Sequence, residues 1–186
     1  VNPIYNKEPD PITPEVFESH LIFLKKNYNI IGLDDLYQRL VGAKGNPNRN
    51  EVVLTFDDGY IDNYFYAIPL LKKYKMKATF FLVTAFINDQ IKLNGIKGWE
   101  SMTSKQIKEI SLDDNFIIGG HSHNHQILST LDNQTLDKEI SICIYQLSKI
   151  IEKPIKYFAY PYGQSHQFNS EAIKLLQSKG ILAACS

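Results

Sequence analysis

Two cysteines, one tryptophan and no excess of either charge are the first constraints this sequence sets. Cys143 and Cys185 stand alone, without the paired spacing of a thiolate metal site or the density of a disulfide framework. Neither device is therefore expected to hold the fold, and the redox compartment stays open. Cys143 falls within the apolar helical pattern EISICIYQL and reads as a small buried hydrophobe.

With 20 Lys and Arg against 20 Asp and Glu, the formal net charge is zero. That removes the electrostatic case for nucleic acid or for an anionic membrane surface. No stretch approaches the roughly 18 apolar residues of a transmembrane segment, and there is no internal repeat. No signal peptide is visible, yet the chain begins at Val1 rather than Met, so it is expected to be trimmed at both termini. Nothing in the pattern sets an oligomeric state.

What is present is material for a core. A chain of 186 residues, 44% of them hydrophobic, suffices for a single domain over 1–186. Its 11 Tyr and 10 Phe suit either that core or stacking on sugar rings, and composition alone does not choose.

Along the chain, strand and helix signals alternate. Thr13 as a cap and Pro14 at the first helical position open PEVFESHLIFLKKN, where Phe17, Leu21 and Leu24 share a face. Strands are expected at NIIGL, EVVLTF, KATFFLV, FIIGG, IKYFAY and ILAAC. Helices are expected at DDLYQRLVG, NYFYAIPLLKKYK, SKQIKEI, QTLDKEISICIYQLSKIIEK and SEAIKLLQSKG. Such alternation implies βαβ units and a parallel sheet, closed or partly closed into a barrel. In barrels the reactive residues gather where strands end and helices begin.

Asp57 and Asp58 sit at such a point, after VVLTF and before the turn allowed by Gly59. Two adjacent carboxylates repel, unless a divalent cation takes one and leaves its neighbour ionised as a base. The plainer alternative is that one of them caps the helix that follows. The second cluster is GGHSHNH, which holds three of the five histidines. His121 and His125, at i and i+4, would share one face of a helical turn and could ligate one metal ion. With Asp58 they make a two-histidine, one-carboxylate set that leaves positions free for water and substrate. Zinc is the default ion, and cobalt, nickel or iron suit the same donors. Asp57 would then take a proton from water activated there. In YFAYPYGQ, Pro161 and Gly163 shape a turn that could aim the Tyr162 N–H into the cleft as an oxyanion donor, or could be an ordinary turn.

In this order the three motifs resemble the polysaccharide deacetylases of carbohydrate esterase family four, the nodulation-type deacetylase domain, over about residues 12–185. TFDDG at 55–59 is similar to the family's first motif, which implies Asp57 as base and Asp58 as metal ligand. HSHNH at 121–125 is similar to its second, supplying His121 and His125, with Ser122 steadying the loop through a hydrogen bond. YPYG at 160–163 is similar to its third, placing Pro161 and Tyr162 against substrate and the Tyr162 N–H in the oxyanion hole. ATFFL at 78–82 is similar to the family's next strand, and ITPEVFESHLIFLKKN, GLDDL and YFAYPYG most resemble the biofilm poly-N-acetylglucosamine deacetylases.

The fold so implied is α/β, an irregular (β/α) barrel of about seven strands, incomplete at both ends in this chain. The implied activity is metal-dependent removal of N-acetyl groups from an N-acetylglucosamine polysaccharide, outside the cytoplasm, with release of acetate. An O-acetyl esterase and a metal-bearing sugar-binding module are the alternatives. Three departures stand out. Ala159 replaces an arginine that commonly braces the catalytic aspartate. The family's tryptophan motif and its Leu–His motif, source of the general acid, have no counterpart before Ser186. The usual first strand, with its Tyr–His pair, is expected before Val1. His123 or His166 could stand in as the acid, though His123 is expected to bond within its own loop. Trp99 is expected to pack, or else to stack on a sugar.

Overall fold

The computed structural model describes residues 12–90 and 100–186. The Thr13 hydroxyl accepts the Val16 N–H and Pro14 occupies the first turn, so α1 (Pro14–Asn27) starts where those two residues dictate. Its Leu21 is fully buried. β1 (Asn29–Ile30) and α2 (Leu33–Leu40) follow.

The strand expected over 51–56 is divided. β2 (Glu51–Val52) pairs in parallel with β1, whereas β3 (Thr55–Phe56) pairs in parallel with β4 (Ala78–Leu82). One extended segment thus serves one neighbour with its first half and the other with its second, as the stagger of a curling sheet requires. The helix between β3 and β4 is also divided, into a π-helix at Asn63–Ala67 and α3 (Ile68–Tyr74). Pro69 has no N–H to donate, and its ring would press on the carbonyl four residues back. The wider turn, in which the Ile68 N–H reaches Asn63 O, relieves that conflict.

α4 (Ser104–Ile110) begins with a reciprocal capping box between Thr103 and Gln106. It is followed by β5 (Phe116–Gly120), α5 (Asn133–Ile151), β6 (Tyr157–Ala159), α6 (Ser170–Ser178) and β7 (Ala183–Cys185). Strands β3 to β7 lie in sequence order and are all parallel, a curled sheet that forms a half-barrel. No described helix is long and apolar enough to cross a membrane.

The alternation of side chains along each strand sorts the core into two faces. Outside the sheet, Phe80, Leu82, Ile118 and Phe158 pack with helix residues such as Leu71 and Ile140. Inside the curl, Phe81, Tyr157 and Ala159 pack with Leu33. Each large side chain fully buried in this way contributes about 1.5–3 kcal/mol.

Two consecutive glycines end β5 because both faces are already full. A methyl group at Gly119 would lie 2.6 Å from Cε1 of Phe81 on the inner face, and one at Gly120 would lie 3.0 Å from Phe158 and 3.1 Å from Cys143 Sγ on the outer. Gly119→Ala is therefore expected to lower the unfolding free energy by about 1–3 kcal/mol, the usual cost of overpacking. Urea denaturation would show it, and an unchanged midpoint would mean that the Phe81 ring yields freely.

Candidate active site

The loops after β3, β5 and β6 leave the same end of the sheet and meet around one cleft of about 360 Å³. Asp57, Asp58, His121, His125, Tyr162 and Phe81 are among the residues that line it. In a regular strand Asp57 and Asp58 would face opposite sides. Here Asp58 takes a left-handed backbone (φ 68°), as does Gly59 (φ 89°), and the Gly59 N–H closes on Asp57 O at 2.8 Å. The tight turn brings both carboxylates to one side.

His121 is 2% exposed, and its Nδ1 lies 2.8 Å from the carbonyl oxygen of Ala159 on β6. A carbonyl only accepts, so Nδ1 carries the proton and the Nε2 lone pair faces the cleft. His121 Nε2 and His125 Nε2 stand 3.2 Å apart, and Asp58 Oδ1 lies 3.6 and 3.4 Å from them. Two ligand nitrogens held tetrahedrally on zinc at ~2.05 Å would be about 3.3 Å apart, so the spacing suits an ion of that size. Asp58 Oδ1 is buried and has no hydrogen-bond donor, an unfavourable state that a cation between these atoms would end. Asp58, His121 and His125 together form a candidate metal site.

The charge states agree with that chemistry. Burial lowers the pKa of His125 against the pull of Asp58, which keeps the ring neutral and able to ligate. Burial raises the pKa of Asp57, and the charge of Asp58 beside it works in the same direction. Only part of the Asp57 side chain is withdrawn from water, since the residue as a whole is exposed on the open side of the cleft.

The model of a known family, described as polysaccharide deacetylase, matches residues 44–184. The chain belongs to the polysaccharide deacetylase family. It is 30% identical over 165 residues to YxkH of Bacillus subtilis (strain 168), covering 88% of this chain and 54% of that one. It is 26% identical over 180 residues to the poly-beta-1,6-N-acetyl-D-glucosamine N-deacetylase of Staphylococcus aureus (strain MSSA476), covering 91% of this chain and 59% of that enzyme. The chain thus spans a little over half the length of these curated relatives. Among solved structures, the Streptococcus pyogenes deacetylase PplD, in complex with acetate, superposes with a TM-score of 0.78 at 26% identity, over 98% of this chain and 76% of that one. IcaB from Ammonifex degensii has the same fold, with a TM-score of 0.79 at 21% identity, over 96% and 77% of the two chains.

In this chain the histidine pair is not built on a helical turn. Ser122 (φ 63°) and His125 (φ 56°) both take left-handed backbone, and the loop folds back until the His125 N–H meets Ser122 Oγ at 2.9 Å. The i, i+4 spacing brings the rings together, but through a loop. Ser122 thus makes the bond expected of it. His123 does not bond within its own loop: its Nδ1 lies 2.8 Å from Thr84 Oγ1, beyond the end of β4. His166 is exposed, and neither of these histidines lines the cleft. Trp99 lies outside the described residues.

Tyr162 is 58% exposed, with its ring centroid 4.7 Å from that of His125 and a left-handed backbone (φ 65°). Pro161 beside it is buried and does not line the cleft. Among the residues at the site that were not foreseen are Phe81 and Cys185 in the cleft wall, and Glu139 beneath the histidine loop. Glu139 did leave a signal, since it interrupts the apolar stripe of Leu136, Ile140, Cys143 and Leu147.

Proposed function

We propose that this chain carries a metal-dependent N-deacetylase that hydrolyses acetamido groups on an N-acetylglucosamine-containing polysaccharide and releases acetate. The observation that carries the proposal is the Asp58–His121–His125 cluster, with Asp57 beside it on the open side of one cleft. The name of the Staphylococcus aureus relative supports the choice of polymer.

A divalent ion held by Asp58, His121 and His125 (zinc by preference, with cobalt, nickel or iron acceptable to the same atoms) would polarise the amide carbonyl and acidify water. Asp57 accepts the proton of the attacking water on its carboxylate. The Tyr162 N–H, set by the turn that Pro161 and Gly163 shape, donates to the oxyanion as it forms. A proton must reach the leaving nitrogen before the C–N bond breaks, because an amine anion is a very poor leaving group. The exposed Tyr162 ring offers a face on which a sugar can stack. A polymer of this kind places the work outside the cytoplasm, at the cell surface or in the periplasm.

A metal-bearing module that binds sugar without turnover is the second reading. Ala159, standing where the resembling motif commonly has arginine, favours it. Zinc-loaded protein with N-acetylglucosamine oligomers decides between the two. Acetate release that a chelator abolishes is the expected result. Binding without release would favour the module, and release only from O-acetylated xylan would identify an esterase.

A further inference from the structure

The loop that presents the two histidines is costly to form. Left-handed backbone at a residue other than glycine is disfavoured by roughly 1–2 kcal/mol, and this loop has it at both Ser122 and His125. Strain of this sort persists only where the surroundings over-determine it. Part of the restraint comes from the turn that follows β4: the Thr84 and Ala85 N–H groups bond to Ser122 O and His123 O, at 3.3 and 2.9 Å. A further part comes from a side chain on α5.

Glu139 is 3% exposed on the buried face of that helix, where the pattern calls for a hydrophobe. Its Oε2 accepts the backbone N–H groups of His123 and Asn124 at 3.1 and 2.8 Å, and its Oε1 accepts Asn124 Nδ2 at 2.6 Å. Two successive amides converging on one oxygen make a small anion nest filled by the protein's own carboxylate. Burying a carboxylate is expensive unless it is hydrogen-bonded, and these bonds are what repay it. The position is also telling, for the two captured amides lie between the ligands His121 and His125.

We infer that Glu139 is a positioning residue that locks the His121–His125 loop in its ligating shape from behind, without touching metal or substrate. This rests on the metal site proposed above. Substituting Glu139→Gln keeps the volume of the side chain but replaces one acceptor oxygen with an NH₂ group that has nothing to offer an N–H donor.

The test is a titration with cobalt(II), whose visible absorption reports coordination, alongside thermal melting of the metal-free protein. Glu139→Gln is expected to bind cobalt 10–100-fold more weakly, the scale on which supporting groups act on metal sites, and to give an altered spectrum. A variant that melts earlier yet binds cobalt with wild-type affinity and spectrum would reduce Glu139 to a packing residue and overturn the inference. Should Glu139→Gln not fold, Asn124→Ala decides, because Asn124 is exposed and its substitution removes only the bond to Oε1. Weaker cobalt binding, by several-fold, is then expected, and unchanged affinity overturns the inference. Wild-type protein that takes up no cobalt would instead bring down the metal site itself, and this inference with it.

Discussion

Asp57→Asn should keep its zinc and lose acetate release by about 10²–10⁴-fold, the usual worth of a positioned general base. The substitution is nearly isosteric and leaves Asp58, His121 and His125 in place, so zinc content should change little. What disappears is the carboxylate proposed to take the proton of attacking water, at the exposed edge of the cleft. The ground state therefore binds as before while the transition state loses its proton acceptor, and the loss falls on kcat more than on KM. Zinc content by atomic absorption and acetate release from the same preparation give both halves of the prediction. Normal turnover in the variant would show that Asp57 is not the base.

His121→Ala should lose both properties together. Even supporting groups around a metal are worth 10–100-fold in affinity, and removing one of the three proposed ligands should cost on the order of 10²-fold or more. Activity should fall at least as far as in Asp57→Asn, and added zinc should not restore it at stoichiometric concentration. Stability should drop as well, because the Ala159 carbonyl loses its donor, at about 1–3 kcal/mol for an unsatisfied buried group. A melting curve separates the two effects. Protein that is folded but empty is the expected state, whereas a folded variant that retains zinc would remove His121 from the ligand set.

The contrast between these variants turns on residues that could be picked from the sequence, and the reason is local. Asp57, Asp58, His121 and Tyr162 each follow an apolar run that ends at a strand terminus, where a polar residue has no packing explanation. Helix starts were readable for the same kind of reason, since Thr13 with Pro14 and Thr103 with Gln106 carry their hydrogen bonds within a few residues. What depends on distant partners was not readable. The 51–56 segment looks like one strand because nothing in EVVLTF tells that its halves serve different neighbours. The left-handed backbone at Ser122 and His125 is held in part by Thr84 and Ala85, in the turn after β4, and by Glu139 on α5. Glu139 stands out as a charge on the apolar face of α5, but what it holds is not visible until α5 is seen to lie against the loop.

The tie between His121 and the Ala159 carbonyl has a consequence for how this protein can change over generations. The donor's partner belongs to the main chain, and a main-chain oxygen is present whatever codon is used. Drift at position 159 can alter what the cleft looks like without unseating the imidazole. Packing against Leu33 and Phe81 limits which side chains fit there, but none of those that do fit costs the imidazole its acceptor.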